Sequence, residues 1–432
     1  MTPPDDRPRS ADARRSHAVF PAGSNGEFDI PPELSIVIER GRGAKLWDTE
    51  GREFVDFSMG WGSVLPGHAR PEIVEAVARQ APLGSNFAHV SRPALELAEE
   101  IQRLSPAARR VRFCASGTEA TMYCQRLARA FTGRPLILKF EGAYHGANEI
   151  GVTSLFPRPP LKDFPAPDPS SAGIAPVVKD QVIVALYNDL AATEEIVTRH
   201  AGNLAGAIVE PLQRCTPPRP GFLAGLRAAC DRHGVLLIFD EVVTGFRLAY
   251  GGAQEAYGVV PDLVAYGKAL GGGYPIGAFG GRAEIMDWVR EERLGRPDYV
   301  WTASTLGGNP VSAAAGLAAL AIYRRPGTYD RLRALGEYLR HGMRRVLEER
   351  QQRAQVIGDG PLAQVVFSPD PVYDYRSTAR GDGAKGRALM LGLFRRGVFL
   401  NPMGTKLYLS LEHAEADCDR LLDRMGDALT GM

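Results

Sequence analysis

Between about residue 70 and residue 300, short unbroken apolar runs alternate with longer segments whose apolar residues recur every three to four positions. "RVRFCA" leads into a helical stretch from Thr118, and "PLILKF", "QVIVALY" and "LAGAIVE" are further apolar runs. "GFLAGLRAACDRHG", spaced as a helix, then runs into "VLLIFDEV". A strand wetted on one face would alternate apolar and polar residues. Runs that are apolar throughout need cover on both faces, which the intervening helices supply. The pattern therefore predicts an α/β domain built on a mainly parallel sheet. Such sheets place their ligands at the carboxyl ends of the strands, so the residues just beyond each run carry the functional argument.

The rest of the chain is organised around that domain. Residues 1–28 read as a polar arm, and "SIVIERGRGAKLWDTEGREFVDF" reads as short antiparallel strands with a turn at "DTEG". After Asn309-Pro310 the chain turns helix-rich, with strands near "LAQVVFSP" and "KLYLSLE", which predicts a smaller α+β domain. The expected boundaries are 1–69, 70–310 and 311–432. Residues 152–180 hold seven prolines and little periodicity, which reads as a lid. A net charge of +1 gives no electrostatic footprint for nucleic acid or an anionic membrane. The longest near-apolar run, 311–323, is too short to span a bilayer. The N-terminus lacks the apolar core of a signal peptide. Five scattered cysteines without a CxxC pair, and histidines without an HExxH, point to reduced thiols in a cytoplasmic protein without a zinc site.

Three strand ends carry chemistry. At the first, Ser116-Gly117-Thr118 opens a helix whose Tyr123, Leu127, Ala130 and Phe131 form one apolar stripe. Ser116 or Thr118 can cap that helix, and its N–H groups, with Gly117 permitting close approach, suit a phosphate. At the second, "LLIFDEVVTGF" delivers Asp240 and Glu241. An acid there serves a metal, a ribose or a protonated ring nitrogen. At the third, "PDLVAYGKALGGG" ends just before Lys268. Only 7 of the 51 basic residues are lysine, so the chain uses arginine wherever a plain positive charge is wanted. An amine can lose its proton and attack a carbonyl, whereas a guanidinium cannot. A P-loop would need glycine at 262 and Ser or Thr at 269, where the chain has Asp262 and Ala269. No GxGxxG or GxSxG fits its required context either. A phosphate cup, a buried carboxylate and a lone amine together match the needs of pyridoxal 5'-phosphate. Tyr144 in "FEGAYHG" and Val242, two residues past Asp240, could cover the two faces of its ring.

These runs resemble the class III aminotransferases of fold-type I, and most closely the glutamate-1-semialdehyde 2,1-aminomutase branch. The resemblance rests on "GRGAKLWDTEGREFVDF", "SGTEATMYCQRLARAFTGRPLILKFEGAYHG", "IFDEVVTGFRLAYGGAQEAYGVVPDLVAYGKALGGGYPIGAFGG" and "STLGGNP", in order over most of residues 35–320. It implies Lys268 as the Schiff-base residue, Asp240 on the pyridine nitrogen and Tyr144 on the ring. It further implies Gly117 and Thr118 at the phosphate, and Glu210 and Gln213 beside the 3-oxygen. Thr305 matches the threonine that reaches the neighbouring subunit's cofactor, so the resemblance also implies a homodimer with shared sites. Trp61 matches a pocket wall. Two positions depart from the branch: Asp29, with Glu27 close by, stands where an arginine grips the substrate carboxylate, and Thr405 where a glutamate stands. Arg214 is then the candidate for the donor's carboxylate. The departures favour an aminotransferase acting between an amine or amino acid and a carbonyl acceptor, with aminomutation or racemisation as the alternative. A non-catalytic relative would be expected to have lost Lys268.

Overall fold

A computed structural model describes residues 10–26, 30–400, 404–430 and 432. Asp29 and Glu27 therefore lie outside the described residues. The chain divides into two compact units. The larger comprises Pro71–Tyr329 with Tyr373–Tyr375, and the smaller comprises Met1–Arg70, Asp330–Val372 and Arg376–Met432.

The larger unit holds a seven-stranded sheet. Its strands are β1 (Arg110–Cys114), β2 (Leu136–Phe140), β3 (Val182–Ala185), β4 (Leu204–Val209), β5 (Leu236–Asp240), β6 (Leu263–Tyr266) and β7 (Gly277–Gly281), in the order β1-β7-β6-β5-β4-β2-β3. The pairings from β6 through to β3 are parallel, and β7 runs antiparallel to both β1 and β6. The expected mainly parallel sheet is thus present, with one reversed strand. Every residue of β4, β5 and β6 is buried, as their unbroken apolar character required. Helix α1 (Gly117–Thr132) lays Tyr123, Leu127 and Ala128 into a core with Ile208, Ile238 and Phe279. Truncating a core residue such as Ile238 to alanine costs roughly 2–5 kcal/mol.

The smaller unit pairs Ile38–Arg42, Lys45–Asp48 and Glu53–Asp56 antiparallel, as the sequence predicted. It adds Val398–Phe399 in parallel beside Glu53–Asp56, a pairing across the length of the chain that no local pattern announces. A second antiparallel sheet joins Gln355–Ile357, Leu362–Val366 and Lys406–Tyr408. Leu339, Met343, Leu393, Leu421 and Met425 build its core with Val55 and Phe57.

The expected boundary at 69/70 lies one residue from the division at Arg70/Pro71, and the one at 310/311 differs. The N-terminal segment is part of the smaller unit, and the larger unit continues through residue 329. The reason lies in helix Pro310–Tyr323, whose side chains are small and apolar on nearly every face. A Cβ on its Gly316 would come within 2.8 Å of the Leu270 carbonyl, and Tyr323 donates its hydroxyl to the Ala269 carbonyl at 2.8 Å. The helix therefore packs as core directly beneath the Lys268 turn. The Pro-rich segment is folded back on itself: Ser154 N–H bonds the Asp168 carbonyl at 2.6 Å and Val184 N–H bonds that of Pro165 at 3.0 Å. Residues 158–163 lie exposed between these ties, and exposed residues recur at 171–173 and on to 180.

Candidate active site

Strands β6, β5, β4 and β2 are neighbours, and their carboxyl ends deliver Lys268, Asp240, Glu210 with Gln213, and Tyr144 with His145, in that order across the sheet. Asp240 pairs with Ala265, so Lys268 follows three residues beyond the point where the two strands are in register. Lys268 opens a single turn, Lys268–Gly271, after Gly267, and its backbone is left-handed at φ 45°. A non-glycine residue held there carries strain of order 1–3 kcal/mol, a feature that concentrates at functional sites.

Helix α1 starts beside these ends. Ser116 is its N-cap: the hydroxyl accepts from Glu119 N–H at 3.2 Å, and the Glu119 carboxylate in return accepts from Ala115 N–H at 2.8 Å. Of the two capping candidates the cap is therefore Ser116, with its hydroxyl engaged inside the protein. A Cβ on Gly117 would stand 2.7 Å from Val242 Cγ1, so only glycine lets the helix start approach Val242. Thr118 accepts through Oγ1 from Ala147 N–H at 3.2 Å. This joins the helix end to the loop that carries Tyr144.

Asp240 is 5 % exposed. One carboxylate oxygen accepts from Val242 N–H at 3.0 Å, and the other meets His145 Nδ1 at 2.8 Å. His145 is fully enclosed, and its Nε2 has no partner among the described residues. The neighbouring Glu241 is a different kind of acid. It accepts from Ala253 N–H and from the Gln254 and Thr244 side chains, and burial raises its pKa. Its oxygens are consumed in bracing the turn that follows β5. Only Asp240 of this pair faces the strand-end cluster through His145.

The Glu210 carboxylate accepts from Tyr144 N–H at 2.8 Å and from Arg214 N–H at 2.9 Å. Gln213 donates its amide to the Glu141 carbonyl at 2.7 Å, and its buried side-chain oxygen has no partner among the described residues. Arg214 donates to the Gly142 carbonyl at 3.2 Å, with its guanidinium 5.6 Å from the Tyr144 ring centre. The β4 turn and the β2 loop are thereby laced together. Thr305 is exposed, with its carbonyl accepting from Asn86 at 3.1 Å. Trp61 and Thr405 belong to the smaller unit, where Thr405 is buried and donates its hydroxyl to the Val365 carbonyl.

His145 follows Tyr144 in "FEGAYHG", and the sequence alone assigns it no role. Sequence reasoning passed over Lys139 altogether, although the scarcity of lysine could have marked both Lys139 and Lys268.

The residues present fit pyridoxal 5'-phosphate. Gly117, at the start of α1, has no side chain, which seats the helix end tightly against Val242 just past Asp240. Enclosed hydrogen-bonding atoms on His145 and Gln213 are left over after the protein has made its own bonds. The amine, the carboxylate and the helix end stand on adjoining elements.

Comparison with known proteins agrees. The family model "Aminotransferase class-III" matches residues 30–429. Over 391 residues the chain is 41% identical to the glutamate-1-semialdehyde 2,1-aminomutase of Symbiobacterium thermophilum, covering 90% of this chain and 88% of that one. An omega-transaminase from Sphaerobacter thermophilus superposes with a TM-score of 0.91 at 36% identity, over 98% of each chain. A glutamate-1-semialdehyde aminomutase from Pseudomonas aeruginosa PAO1, solved in complex with PMP, gives a TM-score of 0.88 at 26% identity, over 98% of this chain and 95% of that one. The chain belongs to the class III aminotransferase family, and its cofactor is pyridoxal 5'-phosphate.

Proposed function

We propose that the chain moves an amino group through Lys268 and pyridoxal 5'-phosphate, and that it does so within one carbon skeleton, as an aminomutase of the glutamate-1-semialdehyde type. The first half is carried by one observation, the convergence of Lys268, Asp240 and the α1 start on adjoining ends of one sheet. The second half rests on the curated relatives, whose names favour aminomutation over the transamination expected from the pocket residues. Transamination between two molecules stays as a second reading. Thr405 favours it, since a hydroxyl tied to the Val365 carbonyl stands where the aminomutase branch has a carboxylate.

When bound, the cofactor supplies an aldehyde and a ring that takes up an electron pair. Lys268 Nζ would hold that aldehyde at rest and, once released by the incoming amine, would serve as the acid and base that moves a proton. The Asp240 carboxylate, held by His145, keeps the proton on the ring nitrogen. Tyr144 and Val242 would cover the two faces of the ring. The N–H groups at Gly117 and Thr118 take the phosphate, with Ser116 holding the helix end in place. Glu210 and Gln213 would be the residues beside the ring's 3-oxygen. Arg214, Trp61, Asp29 and Thr405 are the positions proposed to select the substrate.

The test is to supply purified, cofactor-loaded protein with glutamate-1-semialdehyde and no other amine. Formation of 5-aminolevulinate supports aminomutation. No product there, with turnover of an added amine and keto acid, establishes the second reading. No turnover in either assay sinks both.

The homodimer is proposed from exposed apolar residues flanking Thr305: Trp301 is 59% exposed, Leu306 55% and Phe87 51%. Sedimentation of a Trp301→Glu, Leu306→Glu double variant is expected to give monomer, and an unchanged dimer would place the interface elsewhere.

A further inference from the structure

Lys139 is the penultimate residue of β2, with none of its surface exposed. Its ammonium donates to the carbonyls of Ala143 at 3.0 Å, Ile150 at 3.3 Å, Gly151 at 2.9 Å and Thr153. Three N–H donors thus serve four acceptors, all of them main-chain oxygens of the loop that follows the same strand. No carboxylate takes part in these bonds. A methionine of similar length would avoid the cost of enclosing a charge, but it would leave those carbonyls without a donor. Burial pushes the Lys139 pKa down to about 7, against the opposing pull of Glu210.

The gathered carbonyls lead directly to the site. The Gly151 carbonyl also accepts from His145 N–H at 3.3 Å, and His145 meets Asp240 through Nδ1. The Ala143 carbonyl immediately precedes Tyr144, whose N–H is bonded to Glu210 from the other side. Thr121 of α1 donates to the His145 carbonyl at 2.6 Å. The loop is therefore fixed by α1, by Glu210 and, from beneath, by the enclosed ammonium. Of these three, Lys139 alone holds the loop's entry and its exit together.

We propose that Lys139 is a positioning residue for the cofactor site: its ammonium closes the 143–153 loop and thereby sets Tyr144 and His145 in place against the cofactor ring and Asp240. Lys139 touches neither substrate nor cofactor, and acts through the loop. The proposal uses the cofactor reading for one of its two readouts and is independent of it for the other.

Lys139→Met removes the donors and keeps the length, and Lys139→Gln keeps two of the N–H groups. Hydrogen exchange without cofactor is expected to show faster exchange of the 143–153 amides in Lys139→Met, with β4, β5 and β6 unchanged. Equilibrium dialysis is expected to show pyridoxal phosphate bound about tenfold more weakly or worse, with Lys139→Gln between the two. The visible band of the bound cofactor should also change its pH dependence, since the His145–Asp240 contact is no longer fixed. A folded Lys139→Met protein with wild-type exchange at 143–153 and cofactor affinity within twofold overturns the proposal. If Lys139→Met does not fold, Lys139→Gln is judged by the same readouts. If neither folds, Lys139 serves the stability of the whole unit and the proposal also fails. The exchange result stands whichever amino-group reaction the protein performs.

Discussion

His145 in the larger unit and His413 in the smaller one are both fully enclosed, and each keeps an Nε2 with no partner among the described residues. Each is held through Nδ1, His145 by Asp240 at 2.8 Å, and His413 by the Ser410 hydroxyl at 2.8 Å and the Ser410 N–H at 3.0 Å. The smaller unit even adds an Asp56–His68 pair at 2.7 Å, so it contains serine, histidine and aspartate, the residue types of a hydrolase. Their surroundings separate the two. The His413 ring packs 4.6 Å from the Phe57 ring, and its Nδ1 accepts the Ser410 N–H, which spends it on the turn. Around His145 the strand-end loops and the start of α1 pack closely on one another. Gly117 has no side chain against Val242, Gly146 has none against Thr118, and the half-buried Lys268 stands one strand over. An enclosed imidazole marks a site only where its partner stands among other reactive groups, as Asp240 stands one strand from Lys268.

The largest expected effect falls on the lysine. Lys268→Arg keeps the charge but not the nucleophile, so turnover should fall on the order of a thousandfold or more, with the fold intact by circular dichroism. Near-wild-type turnover would remove the lysine from the chemistry and dissolve the contrast with the smaller unit. Next comes Asp240→Asn, expected to cost about 10²–10³-fold in kcat while the cofactor stays bound. A rate within a fewfold of wild type would reduce Asp240 to a structural carboxylate like Glu241. His145→Phe should cost about tenfold, because Asp240 keeps its bond from Val242 but loses its second anchor. No change there would mean that the His145–Asp240 contact is as inert as the one at His413.

How much of this was legible beforehand follows from where each residue's partners lie in the chain. Lys268, Asp240 and Gly117 could be read because each stands at the end of an apolar run or opens a helix, and a strand end is a local pattern. Glu241 could not be told from Asp240 by type or spacing. What separates them is the N–H of Ala253 and the side chain of Gln254, which reach Glu241 only after the chain has turned. Lys139 was hidden inside "PLILKF", where one lysine in an apolar run reads as a solvated edge. Its four acceptors are backbone oxygens, and the sequence carries no sign of them. The boundary at 310/311 failed for a similar reason. Helix Pro310–Tyr323 carries almost no amphipathic stripe, so its sequence does not say which core it joins, and its burial beside Leu270 answers that.

The smallest expected effect sharpens the comparison from the inert side. Burial holds the His413 pKa down at about 4, against an ordinary value of 6.5. Between those values the unfolded chain takes up a proton that the folded chain refuses, so stability rises with pH across this window. His413 thus contributes fully above about pH 6.5, and its contribution is lost as pH falls through 4, on the order of 3 kcal/mol in all. His413→Phe keeps a ring beside Phe57 and forfeits the Ser410 bonds, at about 1 kcal/mol near neutral pH. It should flatten the difference in unfolding free energy between pH 6.5 and pH 4.5, measured by urea titration, and leave kcat unchanged. All other titrating groups are common to both proteins, so the change in slope isolates this imidazole. An unchanged slope would show that His413 titrates in the folded protein as it does in the unfolded chain, with the pull of Asp56 offsetting the burial.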